Sequence, residues 1–109
     1  MNEILLVITN LPDAPAAEKL ARHLIKERAA ACVNQLAPCT STYRWQGKIE
    51  SATEVPLLIK TTLAAYPLLE KLIAEAHPYE LPEIIAVPVT AGLPAYLGWI
   101  SNETIITKE

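Results

Sequence analysis

The stretch from Ala31 to Thr61 constrains the fold more than any other part of this sequence. It reads as β structure on both sides of one tight turn, Gln46-Gly47-Lys48, where glycine supplies the positive φ that a hairpin loop requires. The outgoing strand runs from Ala31 to about Trp45, anchored by Val33, Tyr43 and Trp45, with Pro38 marking a bulge or bend. The returning strand runs from Ile49 to Thr61 and bends near Pro56. Strands of ~12–15 residues extend ~40–50 Å, whereas a helix of ~12 residues covers only ~18 Å. The hairpin must therefore overhang any helices that pack on it.

The rest of the chain supplies those helices. Ile4 to Thr9 is a short apolar strand closed by the turn Asn10-Leu11-Pro12-Asp13. Asp13 caps a helix, Pro15 fits its first turn, and Ala17, Leu20, Ala21, Leu24 and Ile25 recur at helical spacing. A second helix opens at Thr62 or a neighbour, carries Pro67 in its first turn, buries Leu69, Leu72, Ile73 and Ala76, and stops before Pro78. Glu83 to Thr90 reads as a fourth strand and Pro94 to about Asn102 as a short third helix. The order β-α-β-β-α-β predicts an α+β, ferredoxin-like sandwich with two helices on one face of an antiparallel sheet. At 109 residues the chain makes a single domain, 1–109. No element is left to cover Tyr43 and Trp45 near the hairpin tip, so an oligomer that buries the overhang is the economical solution.

Charge and composition exclude several classes. Twelve acidic residues face nine basic ones, net −3, and the basic residues form no run, so no nucleic-acid footprint exists. Met1-Asn2-Glu3 lacks the basic start of a secretory leader, which points to the cytoplasm. The longest apolar stretch, Ile84 to Ile100, is broken by Pro88, Gly92, Pro94 and Gly98, so no membrane insertion is expected. Cys32 and Cys39 form neither a disulfide framework nor a zinc motif; Cys32 reads as a core residue and Cys39, beside Pro38, as the more accessible thiol. Catalytic templates are missing: Asp13 is the single aspartate, and no nucleophile elbow, zincin motif, P-loop or dinucleotide fingerprint occurs, so no enzyme activity is expected.

A set of short motifs then points to a family. They are Glu27-Arg28, Ala30-Ala31-Cys32-Val33-Asn34, Tyr43-Arg44-Trp45-Gln46-Gly47-Lys48-Ile49-Glu50 and Lys60-Thr61-Thr62, followed by His77-Pro78-Tyr79-Glu80-Leu81-Pro82-Glu83-Ile84-Ile85, Pro88-Val89, Gly92 and Tyr96-Leu97-Gly98-Trp99-Ile100. In this order, over nearly the whole chain, they resemble the CutA divalent-cation tolerance proteins. The resemblance implies a homotrimer with interlocking hairpins, an architecture similar to the PII signalling proteins, and a role in tolerance to copper and other divalent metals. It also implies a metal site with a Cys at the end of strand one and neighbouring His residues before the Pro-Tyr pair. Here those positions hold Thr9 and Ala76, which leaves His77.

The side chains admit two readings at each point. His77 either caps the second helix or ligates Cu(II) or another divalent ion weakly, with Glu80 and Glu83 close enough in sequence to supply oxygens. His23 and Glu27, four apart on the first helix, read mainly as an exposed polar pair. Tyr43, Trp45, Tyr79 and Trp99 serve a subunit interface or line a ligand cleft. Lys48, Glu50, Lys60 and Glu83 form salt bridges between subunits, or border a cleft where Lys60 meets a small anionic effector. The functional expectation is a homotrimeric, weakly metal-binding tolerance protein with no organic cofactor. The alternative is a PII-like sensor or scaffold for an effector or protein partner, acting in signal transduction.

Overall fold

The computed structural model describes residues 3–105. Its elements are β1 (Ile4–Leu11), α1 (Ala14–Lys26), β2 (Cys32–Gln35), β3 (Cys39–Trp45), β4 (Lys48–Thr62), α2 (Tyr66–Ala76), β5 (Ile85–Val89) and α3 (Pro94–Glu103). The sheet runs β2-β4-β1-β5 with every neighbouring pair antiparallel, and β3 pairs with the far half of β4. Apolar residues of α1 and α2, among them Leu20, Leu24, Leu69 and Ile73, pack on Val7, Leu57 and Ile59 of the central strands. This is the expected α+β, ferredoxin-like arrangement. Residues 1–2 and 106–109, included in the expected domain 1–109, lie outside the described residues. No described helix is long and apolar enough to cross a membrane.

The long hairpin is present, and its outgoing strand differs in detail from the expected one. Gln35 stands opposite Leu57, but Cys39 stands opposite Glu54, so residues 36–38 face only 55–56. Leu36 still donates its N–H to the Pro56 carbonyl at 3.0 Å, which confines the extra residue to Ala37-Pro38. Proline has no N–H to give to the ladder, and a bulge is where a strand tolerates one. The turn at the tip places Gln46 at φ 50° and Gly47 at φ 81°, the paired positive values of a two-residue hairpin loop. The molecule measures 44 × 26 × 24 Å, and nearly all of β3 is exposed, so the hairpin does overhang its helices.

Three further boundaries move, each for a nonlocal or capping reason. β1 continues through Asn10 and Leu11, which pair with Pro56 and Val55 instead of forming a turn. Thr62 does not open α2; its Oγ1 accepts the Ala65 N–H at 3.1 Å in a turn that precedes Tyr66. The fourth strand begins at Ile85, leaving Glu83 in the connection from α2.

Asp13 caps α1 as expected, accepting the Ala16 N–H at 2.8 Å. At the other end Arg28 adopts φ 59°, and the bonds Arg28 N–H to Ile25 O and Ala29 N–H to Leu24 O complete a left-handed C-terminal cap where glycine is usual. The same arginine holds α3, donating from Nη2 to the Asn102 carbonyl at 2.8 Å and accepting the Ile105 N–H at 2.8 Å.

Candidate functional site

The two faces of β4 have different fates. Val55, Leu57, Ile59 and Thr61 point to the helices and are buried, so Glu50, Ala52, Glu54, Leu58 and Lys60 point the other way. Directly opposed residues share a face. Tyr43 lies opposite Glu50, Trp45 opposite Lys48 and Cys39 opposite Glu54, which puts both aromatic rings on the side of Glu54.

There the end of β1, the hairpin and the connection after α2 enclose a cleft of about 670 Å³, lined by Asn10, Tyr43, Trp45, Glu54, Tyr79, Glu80 and Glu83 with smaller neighbours. No described lysine or arginine lines it.

His77 stands behind the wall of this cleft, 8% exposed. Its Nδ1 accepts the Tyr79 N–H at 3.2 Å, so the proton sits on Nε2, which donates to the Asn10 carbonyl at 2.6 Å. The ring also packs on that of Tyr79, with centroids 4.7 Å apart. Asn10 in turn donates from Nδ2 to Glu83 Oε1 at 2.9 Å. His77 thus fixes Tyr79 and Asn10, and through them the positions of Glu54 and Glu83.

Burial first, then the interaction of its hydroxyl with the neighbouring Glu54 carboxylate, pushes the Tyr79 pKa from 10.0 up to about 12. The fold therefore favours the neutral phenol. The stability this confers is intact below pH 10.0 and is lost as pH climbs towards about 12. In an absorbance titration the latest tyrosine to ionise should vanish in Tyr79→Phe.

The structure brings Glu80 and Glu83 to one cleft with Tyr43, Trp45 and Tyr79, and it separates the remaining expected residues from them. Lys48 and Glu50 lie exposed towards the hairpin tip. Lys60 is six residues along β4 from Glu54, a rise of about 20 Å, and its Nζ donates to Asn34 Oδ1 at 2.7 Å and sits 6.0 Å from the Tyr96 ring centroid. Trp99 stacks on Tyr96 at 5.6 Å in α3. Cys32 is half-buried near Lys60 instead of in the core, and Cys39 is exposed.

A ligating imidazole needs a free in-plane lone pair, and both nitrogens of His77 are engaged with backbone groups. No group of three His, Cys, Asp or Glu side chains converges as a metal centre among the described residues. This arrangement does not fit a preformed His-centred copper site, whereas the carboxylates of Glu80 and Glu83 remain exposed as oxygen donors. Thr9 is fully buried with its hydroxyl unpartnered among the described residues. Replacing that hydroxyl with a methyl, Thr9→Val, should raise stability by about 1 kcal/mol in denaturant titration.

Asn10 and Glu54 are the cleft residues that sequence reasoning missed. Asn10 sits in a turn-forming string, and Glu54 alternates with buried apolar residues as a solvent-facing carboxylate does.

A ferredoxin-like sandwich with an overhanging hairpin and an acidic, aromatic cleft along that hairpin defines the class. The family profile described as CutA1 divalent ion tolerance protein matches residues 5–103. The divalent-cation tolerance protein CutA of Thermus thermophilus is 41% identical over 104 residues, covering 95% of this chain and 99% of its own length. The mouse protein CutA is 43% identical over 93 residues, 85% of this chain, which spans 52% of the mouse protein. Among solved structures, CutA from Xylella fastidiosa superposes with a TM-score of 0.91 at 49% identity, covering 94% of this chain and 98% of that one. The chain belongs to the CutA1 divalent ion tolerance family.

Proposed function

We propose that this chain acts in divalent-cation tolerance as a cytoplasmic, non-catalytic homotrimer that binds metal ions weakly through carboxylate oxygens. The observation that carries this reading is a cleft lined by Glu54, Glu80 and Glu83 and by no described lysine or arginine. Glu80 and Glu83 offer hard, exchangeable donors, suited to divalent ions held in passing. His77 joins such a ligand set only by giving up the Tyr79 N–H or the Asn10 carbonyl. The trimer draws support from the overhanging hairpin and from an apolar sheet face: Ile85 is 51% and Val87 46% exposed, opposite Ile8 and Leu6 of β1.

Native mass spectrometry during a Cu(II) titration tests both parts. The expected spectrum is a trimer taking up metal in multiples of three, with uptake reduced in Glu80→Gln/Glu83→Gln. A trimer that stays metal-free sinks the direct metal role, and uptake unchanged in His77→Ala removes the imidazole from the ligand set.

The second reading, a PII-like sensor for an anionic effector, rests on a different place. Lys60 with Asn34 and Tyr96 offers an anion a cationic and aromatic contact that the acidic cleft does not. A thermal-shift screen of nucleotides in which Lys60→Gln abolishes a response would favour it.

A further inference from the structure

Glu54 is a carboxylate only 9% exposed. It neighbours the Tyr79 hydroxyl and has no countercharge among the described residues, where the ion pair formed is Arg22–Glu18 on α1. A buried charge with no opposite charge is costly, and the cost falls when a cation reaches it. Glu80 and Glu83 face the same space, and the rings of Tyr43, Trp45 and Tyr79 wall it.

We infer that this cleft takes an organic cation, an ammonium or guanidinium group carried on an aliphatic chain. Three features select that class. The carboxylates exclude an anion. A hydrated metal ion uses oxygen donors but makes nothing of three aromatic walls, whereas an alkylammonium uses both, its charge drawn to ring faces and its stem covering apolar area. The half-open groove, of about 670 Å³, also has room for a small molecule as well as for an ion.

The cation has two sources of the same chemistry. It is either a free oligoamine or a basic side chain of a second copy, for which Arg44 and Lys48 flank the hairpin turn. The inference shares Glu80 and Glu83 with the divalent-cation reading but rests on Glu54 and the aromatic walls.

The intact assembled protein is titrated with spermidine by calorimetry, with magnesium chloride at matched ionic strength as control. Spermidine is expected to bind saturably and about tenfold or more tightly than magnesium, and Glu54→Gln and Trp45→Leu should each weaken it by a similar factor. Trp45→Leu and Tyr43→Leu keep every carboxylate, so they weaken amine binding while leaving Cu(II) uptake intact; the two readings therefore fail separately.

If spermidine produces no heat, the second-copy source predicts that Glu54→Gln and either Arg44→Ala or Lys48→Ala loosen the assembly non-additively in a double-mutant cycle. Spermidine binding indifferent to Trp45→Leu and Tyr43→Leu overturns the inference. So does the absence of spermidine binding together with strictly additive effects on assembly.

Discussion

His77→Ala is expected to lower the stability of the fold by about 2–4 kcal/mol, more than a metal ligand on a surface loop would. The imidazole is buried and bridges two backbone groups far apart in sequence, the Asn10 carbonyl and the Tyr79 N–H. Truncation strands both of them and opens a cavity beneath the Tyr79 ring. The loss should propagate to the cleft, because Asn10 holds Glu83 and Tyr79 holds Glu54. His77→Phe keeps most of the volume and none of the hydrogen bonding, so it should recover only the packing share. Denaturant titration of the pair measures that split. If His77→Ala is as stable as the parent chain, the imidazole does not organise the cleft.

Val87→Asp should have its effect on assembly. Val87 lies on the sheet face turned away from α1 and α2, opposite Leu6, with Ile85 opposite Ile8 and Leu58 one strand further on. A carboxylate in the middle of that apolar surface leaves the isolated chain nearly untouched, since Val87 is already 46% exposed there. In a trimer that buries the face it places an unpaired charge at the interface, at a cost of several kcal/mol. Gel filtration at micromolar concentration should find the parent as a trimer and Val87→Asp as a monomer. A parent that elutes as a monomer would remove the trimer from the proposed function.

The hairpin was readable because its determinants are local: Gly47 at the tip, β-rich runs on both sides, and Pro38 where the ladder breaks. The faces of its aromatic residues were not. Alternation through an unbroken strand from Ala31 to Trp45 puts Tyr43 and Trp45 on the same side as Val33, towards the helices. The extra residue at Ala37-Pro38 reverses that, and only pairing with β4 reveals it.

Asn10 looked like part of a turn because Asn-Leu-Pro-Asp is rich in turn formers, yet partners more than 40 residues away hold it in β1. Glu80 and Glu83 were found by their nearness to His77 in the sequence. His77 is the C-cap residue of α2, and its ring stands behind the cleft as a strut and not in its lining.

The attachment of α3 bears on how the molecule opens. The helix buries Ile100, contains Gly98, has no side-chain cap at its start, and is anchored at its far end largely through Arg28. Its amide hydrogens should therefore exchange with solvent through a local detachment of low free energy, while those of β1 and β4 wait for global unfolding. Such an excursion bares the Lys60 end of the sheet and leaves the acidic cleft unchanged, so the two ends of one β-strand belong to different cooperative units.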